Sequence, residues 1–413
     1  MARLSILFLL HFVLMPAFAT QGQSVKTGAQ VLVESDFARL QGLRTGLIVN
    51  HTARAGNKHL INLVHEADGV TVAALFGPEH GLRGLEEDGV FIADGVDDMT
   101  GAPIYSLYGQ SRQPTPAMLE GLDVLVFDIQ DVGARFYTFI STMGLAMQSA
   151  AKAGLPFIVL DRPNPLSGSY VSGFVLEPEQ TSFVGQYAIP VAHGLTIGEL
   201  ARLIQGERLL SGLEELELEV IAMEGWTRDM QWPDTGLPWV NTSPNIPSFE
   251  TALVYPGTCF FESTSASEGR GTTQPFVHVG APWADGAELA HRLNDYDLAG
   301  VTFEAVTFTP RPTEGMDLNP KLSGQKLGGL RIKVSDRLKY RPVEVGIHIL
   351  HVFYNAAPDA YDFLSRPQWL ARLSGTDRLH SMLGSMQPAD IIASWQEEVA
   401  DFKARSQRYY LYD

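Results

Sequence analysis

The chain of 413 residues is too long for one ordinary hydrophobic core, so its length predicts two domains. Hydrophobic residues make up 45% of the sequence and charged residues 19%, a composition that supports folded cores and excludes a disordered chain. The formal net charge of -17 excludes a nucleic-acid-binding protein, because phosphate binding requires a basic face.

The amino terminus has the pattern of an export signal. Arg3 precedes an apolar stretch over residues 4–15, and Ala17 and Ala19 supply the small residues that a signal peptidase accepts. This stretch is shorter than the roughly 20 apolar residues that span a bilayer. We therefore expect a cleaved signal peptide over residues 1–19, a secreted, periplasmic or extracellular protein, and no stable membrane insertion after cleavage. Cys259, the only cysteine, has apolar neighbours and is expected to be buried and inert.

Four apolar runs in the first half of the chain have the length and composition of buried strands. They cover residues 46–49, 72–76, 124–127 and 157–160, and each ends in a cluster of polar residues. Helix-like stretches separate them, as in a parallel sheet that is covered on both faces. Because ligands bind beyond the carboxyl ends of parallel strands, we expect the four polar clusters to meet at one crevice.

A Pro- and Trp-rich segment, residues 226–247, divides the chain. Its composition excludes a regular helix and predicts an extended connection or lid between two α/β domains, over residues 25–240 and 241–413. Predicted helices cover residues 31–40, 136–153, a segment that begins at Thr196, 342–356 and 388–406. Further predicted strands cover residues 216–223, 301–308 and 330–334.

The most distinctive local motif is residues 76–84, where three glycines and a proline surround Glu79 and His80. Such a sequence predicts an irregular loop that presents side chains to a ligand. The alternative is a solvated turn in which Glu79 only pairs with Arg83. The position at the end of a predicted strand favours a functional site.

A second motif, residues 128–137, contains two carboxylates and an arginine. A carboxylate that ends a buried strand is costly unless it is hydrogen-bonded or functional, which favours a site role for Asp128. Asp131 has two open interpretations, as a site residue or as the cap of a helix that begins near Arg135.

Two polar loops in the second half are expected to close the crevice from the other side. Residues 265–273 place Glu268 and Arg270 between glycines, which indicates a backbone that approaches a ligand, with an internal ion pair as the alternative. Residues 241–247, which include Asn245, are polar and fixed by prolines.

The sequence lacks the signatures of several common chemistries. No Gly-rich phosphate loop and no Gly-x-Ser-x-Gly elbow occur, and the histidines and the cysteine do not have zinc-ligand spacing. We therefore expect no nucleotide cofactor and no zinc site. The remaining carboxylates and the aromatic residues Tyr105, Tyr108, Tyr137 and Trp239 suit a sugar-cleaving site, where acids transfer protons and aromatic faces pack on sugar rings.

Several sequence segments together resemble the exo-β-N-acetylmuramidase family, glycoside hydrolase family 171, formerly a domain of unknown function. The segments, in order, are GLRTGLIVNHTA, LFGPEHGLRG, PIYSLYGQSRQPTPAML, DVLVFDIQDVGARFYTFISTM, VLDRPNP, HGLTIGELA, SPNIPSFETALVYPGTCFFE, SEGRGTTQPF and RYYLYD. The resemblance implies release of terminal N-acetylmuramic acid from the non-reducing end of peptidoglycan fragments, with no metal and no organic cofactor. It also implies a Rossmann-like domain and a smaller carboxy-terminal α/β domain, with the site in the cleft between them.

The resemblance also implies roles for individual residues. The family's acid corresponds to Glu79, and its second carboxylate motif corresponds to Asp128 and Asp131. The expected substrate-binding residues are Asn50, His51, His80, Arg83, Arg135, Tyr137, Asp161, Arg162, Asn245, Glu268 and Arg270. Residues 85–89 are more acidic than this family pattern.

Muramic acid differs from N-acetylglucosamine by a lactyl carboxylate, which a guanidinium can bind through two parallel hydrogen bonds. Arg83, Arg135 and Arg270 are the predicted partners of this group, although Arg135 could instead pair with Asp131. The stereochemistry of hydrolysis stays open at this stage. The sequence also leaves open two other classes of protein, namely a non-catalytic periplasmic sugar- or muropeptide-binding protein and a cell-wall esterase or amidase.

Overall fold

The computed structural model describes residues 24–82, 94–109 and 111–413. The predicted signal peptide, Arg83 and the acidic residues 85–89 lie outside these ranges. Within the described part, the chain forms a large parallel sheet covered by helices and a smaller antiparallel sheet with its own helices. The predicted α/β class with two domains is confirmed.

The first domain is built on a seven-stranded sheet, counted over the described residues. Its helices and strands are α1 (Gly28–Glu34), β1 (Arg44–Val49), β2 (Arg54–Ala55), β3 (Lys58–His59), α2 (Leu60–Glu66), β4 (Thr71–Gly77), β5 (Gly95–Val96), β6 (Pro103–Ser106), α3 (Pro116–Leu119), β7 (Val124–Asp128), α4 (Phe139–Ala153), β8 (Phe157–Leu160), α5 (Ile197–Gly206) and β9 (Leu218–Ile221). The strand order is β5-β6-β4-β1-β7-β8-β9, and all neighbouring strands are parallel except β5 and β6.

Burial on both faces explains why the central strands are continuous apolar runs. In β1, Leu47 and Val49 pack in the core beneath α1 and α2, while Ile48 faces the larger core that includes α4 and α5. The four predicted runs lie in β1, β4, β7 and β8, so their carboxyl ends share one edge of the sheet.

The second domain contains a three-stranded antiparallel sheet in the described residues. Its elements are α6 (Phe249–Thr258), β10 (His278–Ala281), α7 (Gly286–Asn294), β11 (Val301–Phe308), β12 (Leu327–Val334), α8 (Pro342–Ala356), α9 (Pro367–Ser374), α10 (Arg378–Leu383), α11 (Pro388–Ala393) and α12 (Gln396–Ser406). The strand order in this sheet is β10-β12-β11. Helices α6 and α8 cross at Gly257 and Gly346, where a Cβ on either residue would collide with the backbone of the other helix.

Two predicted helices differ from the structure in instructive ways. The helix predicted over residues 31–40 ends at Glu34, because Asp36 and Phe37 adopt positive φ angles of 50° and 53°. The helix predicted over residues 388–406 is interrupted at Ser394 and Trp395, where the fully buried indole of Trp395 packs against Phe174.

The remaining element predictions need smaller corrections. The helix predicted to begin at residue 136 begins at Phe139 and ends before Gly154 as expected. The strands predicted over residues 216–223 and 330–334 are observed as β9 and β12 with shifted bounds. Thr196 caps α5 through the predicted capping box with Glu199.

The connection over residues 226–247 is irregular, as predicted, but it is packed rather than lid-like. Trp226 and Trp232 are buried, and a short 3-10 turn at Trp232–Thr235 is its regular part in the described chain. The carboxyl-terminal residues return to the first domain, where Arg202 donates to the carbonyl oxygens of Tyr409 and Tyr410.

Candidate functional site

A cavity of about 760 Å³ lies where the carboxyl end of β4 and the start of α4 meet the second domain. We call it the first cavity. The first domain contributes Glu79, His80, Tyr108, Arg112, Tyr137, Thr138 and Phe183 to its wall, and the second contributes Tyr255, Glu262, Arg270, Phe276, Arg366, Trp369 and Arg372. Its position between the two domains agrees with the cleft that the family resemblance implies.

Glu79 is presented to this cavity by a tight turn directly after β4. His80 and Gly81 adopt positive φ angles of 69° and 71°, and the amide of Gly81 donates to the carbonyl oxygen of Pro78 at 2.9 Å. The half-buried carboxyl group of Glu79 accepts a hydrogen bond from the hydroxyl of Thr138 at 2.6 Å. The turn and Thr138 therefore fix the carboxyl group on the cavity wall.

Aromatic rings form much of the remaining wall. The rings of Tyr108 and Phe183 lie 6.2 Å apart, and Tyr137 and Tyr255 meet edge to face at 5.8 Å. The hydroxyl of Tyr137 donates to Thr242 at 2.8 Å, which ties the wall to the connection between the domains. Such surfaces suit the apolar faces of a sugar ring.

A second carboxylate, Glu262, lines the first cavity and belongs to a charged network. Its Oε1 lies 2.9 Å from Nη2 of Arg270, whose Nε is 3.6 Å from the buried carboxylate of Glu268. Nζ of Lys321 pairs with Glu268 at 2.7 Å and also donates to the carbonyl oxygens of Phe261 and Ala266. The ion pair considered for residues 265–273 is therefore present, and Arg270 also reaches the cavity.

Asp128 is placed differently from what the sequence predicts. Its carboxylate is fully buried and pairs with Arg162 through two contacts, from Nε at 2.5 Å and from Nη2 at 2.8 Å. It does not line the first cavity. Asp128 is thus positioned to hold the guanidinium of Arg162, and it does not face a ligand beside Glu79.

Asp131 is also buried and lies outside the first cavity wall. Its Oδ2 accepts from the amide of Gly133 at 2.7 Å and lies 3.5 Å from Nε2 of His193. The interpretation of Asp131 as a helix cap is wrong, because α4 begins at Phe139 and Thr138 occupies the cap position.

Arg135 is fully buried and donates three hydrogen bonds to backbone carbonyl oxygens. The acceptors are Phe174 at 2.8 Å, Ile189 at 2.7 Å and Leu373 at 3.0 Å. Burial lowers its pKa to about 9, so the guanidinium is still charged at neutral pH. Both expectations for Arg135 are corrected: it neither reaches the cavity nor pairs with Asp131, and instead joins the first domain to α9.

Asp161 holds structural elements together from a fully buried position. It accepts from the hydroxyl of Thr196 at 2.8 Å, the amide of Gly198 at 2.7 Å and the hydroxyl of Tyr412 at 2.5 Å. Burial raises its pKa to about 6, and the hydrogen bond from Tyr412 opposes that rise. The predicted substrate contact at Asp161 is therefore replaced by an anchor for α5 and the carboxyl terminus.

Other predicted residues gather around a second cavity of about 940 Å³, at the carboxyl end of β1. Its wall includes His51, Gln130, Arg162, Trp232, Trp239 and Met316. Burial lowers the pKa of His51, which contacts the carbonyl oxygen of Asn241. The candidates that were expected to share one crevice are thus divided between two cavities.

The loop over residues 241–247 separates these cavities. Ser243 and Ile246 line the first cavity, whereas Pro244 and Pro247 line the second. Buried Asn245 lies within the loop and donates to the carbonyl oxygen of Met316 at 3.1 Å. Asn50 is also buried, and its side-chain oxygen accepts from the amide of Thr52 at 2.9 Å.

Within residues 24–82, 94–109 and 111–413, no group of three or more His, Cys, Asp or Glu side chains could hold a metal ion. No helix in the same ranges combines the length and apolar character that crossing a bilayer requires. Cys259 is buried as predicted, and burial raises its pKa.

The fold and the first cavity define a two-domain α/β protein with an aromatic-lined site at the domain junction that contains two carboxylates, Glu79 and Glu262. Two family models match consecutive parts of the chain: exo-beta-N-acetylmuramidase NamZ, N-terminal, over residues 45–250, and exo-beta-N-acetylmuramidase NamZ, C-terminal, over residues 253–412. The chain therefore belongs to the NamZ exo-beta-N-acetylmuramidase family, which confirms the resemblance seen in the sequence.

Individual relatives agree with this assignment. The chain is 40% identical over 390 residues to the peptidoglycan beta-N-acetylmuramidase NamZ of Bacillus subtilis (strain 168), an alignment that covers 94% of this chain and 91% of that protein. It resembles the crystal structure of a DUF1343 family protein from Bacteroides fragilis NCTC 9343 with a TM-score of 0.86 and 38% identity, covering 94% and 99% of the two chains. A second protein of that family and organism gives a TM-score of 0.79 and 32% identity, covering 95% and 99%.

Several residues of the first cavity were not singled out from the sequence. Thr138 and Glu262 lie inside the segments that carry the family resemblance. The sequence therefore indicates these two positions, but it does not show which residues they contact. Arg366, Trp369 and Arg372 carry no comparable signal, because α9 reaches the cavity only through the packing of the second domain.

Proposed function

We propose that this protein is an exo-acting glycosidase that releases terminal N-acetylmuramic acid from the non-reducing end of peptidoglycan fragments. Its family and the 40% identical relative named as a peptidoglycan beta-N-acetylmuramidase support this substrate. The observation that carries the proposal is the carboxyl group of Glu79, held by Thr138 in an aromatic-lined cavity between the domains.

The proposed reaction uses Glu79 as the general acid. Glycosidases protonate the leaving glycosidic oxygen with one carboxylic acid, while a second carboxylate acts as nucleophile or base. Glu262 is the proposed second carboxylate, because within the described residues it is the other acidic side chain on the first cavity wall. If the substrate's own N-acetyl oxygen attacks instead, Glu262 would orient that amide.

Export of the protein is part of the proposal. The apolar stretch over residues 4–15 and the small residues Ala17 and Ala19 support a cleaved signal peptide. A location in the periplasm or outside the cell would bring the enzyme to peptidoglycan-derived saccharides. The amino-terminal sequence of the mature protein, measured by mass spectrometry after expression in a bacterium, tests this step, with a start near Thr20 as the expected result.

A pair of disaccharides tests the reaction and its direction. The protein should split N-acetylmuramyl-β-1,4-N-acetylglucosamine and leave N-acetylglucosaminyl-β-1,4-N-acetylmuramic acid intact, because only the first has muramic acid at its non-reducing end. The products can be separated by liquid chromatography and identified by mass. Equal cleavage of both would contradict exo-muramidase specificity.

The same assay separates the two other classes. A binding protein would retain the first disaccharide without releasing a product. A cell-wall esterase or amidase would leave the glycosidic bond intact while cleaving an O-acetylated or peptide-substituted muramic acid.

A further inference from the structure

The first cavity carries more arginine than its own carboxylates can pair. In the described part of the wall, the carboxylates are Glu79 and Glu262, whereas the arginines are Arg112, Arg270, Arg366 and Arg372. The chain as a whole has the opposite balance, with a net charge of -17. A concentration of guanidinium groups in one cavity of an acidic protein indicates an anionic ligand.

Two of these arginines already have partners. Arg270 pairs with Glu262 at 2.9 Å and approaches Glu268 at 3.6 Å. Arg366 lies over the ring of Trp369, 5.3 Å from its centroid, and its Nη1 is 3.4 Å from the carbonyl oxygen of Glu262. These contacts hold Arg270 and Arg366 in the wall of the cavity.

Arg112 and Arg372 are different. Neither guanidinium forms a hydrogen bond or an ion pair with any residue that the structure describes. Arg112 lies over the ring of Phe183, 4.3 Å from its centroid, which restrains it and leaves its N–H groups free. Both side chains are exposed and line the cavity, so their donors are available to a ligand.

The helix that carries Arg372 is held firmly. Arg372 follows Trp369 by three residues on α9, so both side chains lie on one face, toward the cavity. Buried Arg135 donates to the carbonyl oxygen of Leu373, the next residue, and packs against Gly375 just beyond the helix. The family motif that contains Arg135 thus positions Arg372 from outside the cavity.

We propose that Arg112 and Arg372 form an anion subsite for the lactyl carboxylate of the terminal muramic acid, an inference that rests on the proposed function. A carboxylate accepts two parallel hydrogen bonds from one guanidinium, and N-acetylglucosamine offers no such group. When a peptide is attached, the lactyl carboxylate becomes an amide and loses its charge. The subsite therefore selects muramic acid over glucosamine and favours muramic acid without a peptide.

Three aryl β-glycosides with one leaving group test the subsite, namely those of N-acetylmuramic acid, its lactyl N-methylamide and N-acetylglucosamine. The wild-type protein should have its highest kcat/KM on the carboxylate. In Arg112→Leu/Arg372→Leu, the carboxylate-to-amide ratio of kcat/KM should fall about 10- to 100-fold, the range for hydrogen bonds to a charged group. Replacing Arg372 with Lys and not with Leu in this double variant should recover part of the carboxylate-to-amide ratio, because lysine keeps the charge and loses the paired geometry.

Arg292→Leu is the matched control, since Arg292 lies on α7 and lines neither cavity. It should keep the wild-type ratio. Circular dichroism and the thermal midpoint check that the variants are folded, which is expected because both arginines are exposed.

Two results would overturn the subsite while leaving the proposed function intact. One is hydrolysis of the muramic acid glycoside with equal kcat/KM for carboxylate and amide, and the other is a double variant with the wild-type ratio. If no glycoside is hydrolysed, the proposed function fails. Calorimetric titration with free N-acetylmuramic acid and its amide then still tests the subsite, and equal affinities would refute it.

Discussion

The hydroxyl of Thr138 donates a 2.6 Å hydrogen bond to the carboxyl group of Glu79, joining the residue that precedes α4 to the turn that follows β4. Thr138 makes no capping hydrogen bond to its own helix. Its side chain is therefore committed to the carboxyl group, and the orientation of the proposed acid depends on the packing of α4 against the sheet.

Replacing the proposed acid tests its role directly. Glu79→Gln should lower kcat on a disaccharide with a poor leaving group about 10²- to 10⁴-fold, the range for loss of general acid–base catalysis. An activated aryl glycoside should be affected much less, because its leaving group needs little protonation. Glu288→Gln, at an exposed position on α7, is the control. A nearly normal rate on the disaccharide would refute the assignment.

Removing the hydroxyl that holds Glu79 should have a smaller effect. Thr138→Val keeps the shape of the side chain but loses the hydrogen bond to a group that is charged in part of the cycle, so kcat should fall about 10-fold or somewhat more. Thr138→Ser should restore most of the rate. If Thr138→Val keeps the wild-type rate while Thr138→Ser loses activity, the methyl packing of Thr138 matters and the hydrogen bond does not.

Asp128 should be required for stability. Asp128→Asn leaves the buried guanidinium of Arg162 without its charged partner, and breaking a buried ion pair costs about 3 to 5 kcal/mol. Urea denaturation followed by fluorescence measures this loss. The double variant Asp128→Leu/Arg162→Leu should recover part of it. An Asp128→Asn protein that is as stable as the wild type but inactive would instead support the catalytic role that the sequence predicts.

Asp161 should make stability depend on pH in a defined direction. Its pKa is about 6 in the folded protein, above the ordinary value of 3.8 for an aspartate, so the folded state holds this proton more tightly. Protonated Asp161 therefore contributes to the free energy of unfolding, and this contribution is complete at pH values below the unfolded pKa. It is lost as pH rises through about 6, and the total loss is about 3 kcal/mol.

Tyr412→Phe isolates this effect. The hydroxyl of Tyr412 lowers the pKa of Asp161, so its removal should raise that pKa further and extend the loss of stability to higher pH. The difference in unfolding free energy between wild type and variant should therefore widen from pH 4 to pH 7. Tyr361→Phe, at an exposed position, is the control. A constant difference across this range would contradict the prediction.

The large sheet could be predicted from sequence because its signal is local. Strands buried on both faces must be continuous apolar runs, and the runs in β1, β4, β7 and β8 were therefore visible together with the edge at which they end. The turn that carries Glu79 was also visible, since glycine and proline mark a backbone that cannot be helix or strand. Helix ends were less accurate, as at Asp36, where positive φ has no strong local signature.

Tertiary structure decided which polar residues face a ligand. The position of a residue after a strand determines the edge of the sheet at which it lies, but not how deeply it is buried. Asp128 and Glu79 therefore have similar sequence patterns, although Asp128 is fully buried and Glu79 lines the first cavity. Depth and pairing depend on residues far away in the chain, as when Arg162 pairs with Asp128 and Leu373 accepts from Arg135. The sequence by itself determined the sheet, its edge and the acid-bearing turn. Only long-range packing placed Glu262 and Arg372 on the wall of the cavity, because the exposure of a side chain depends on every residue that packs around it, including residues far away in the sequence.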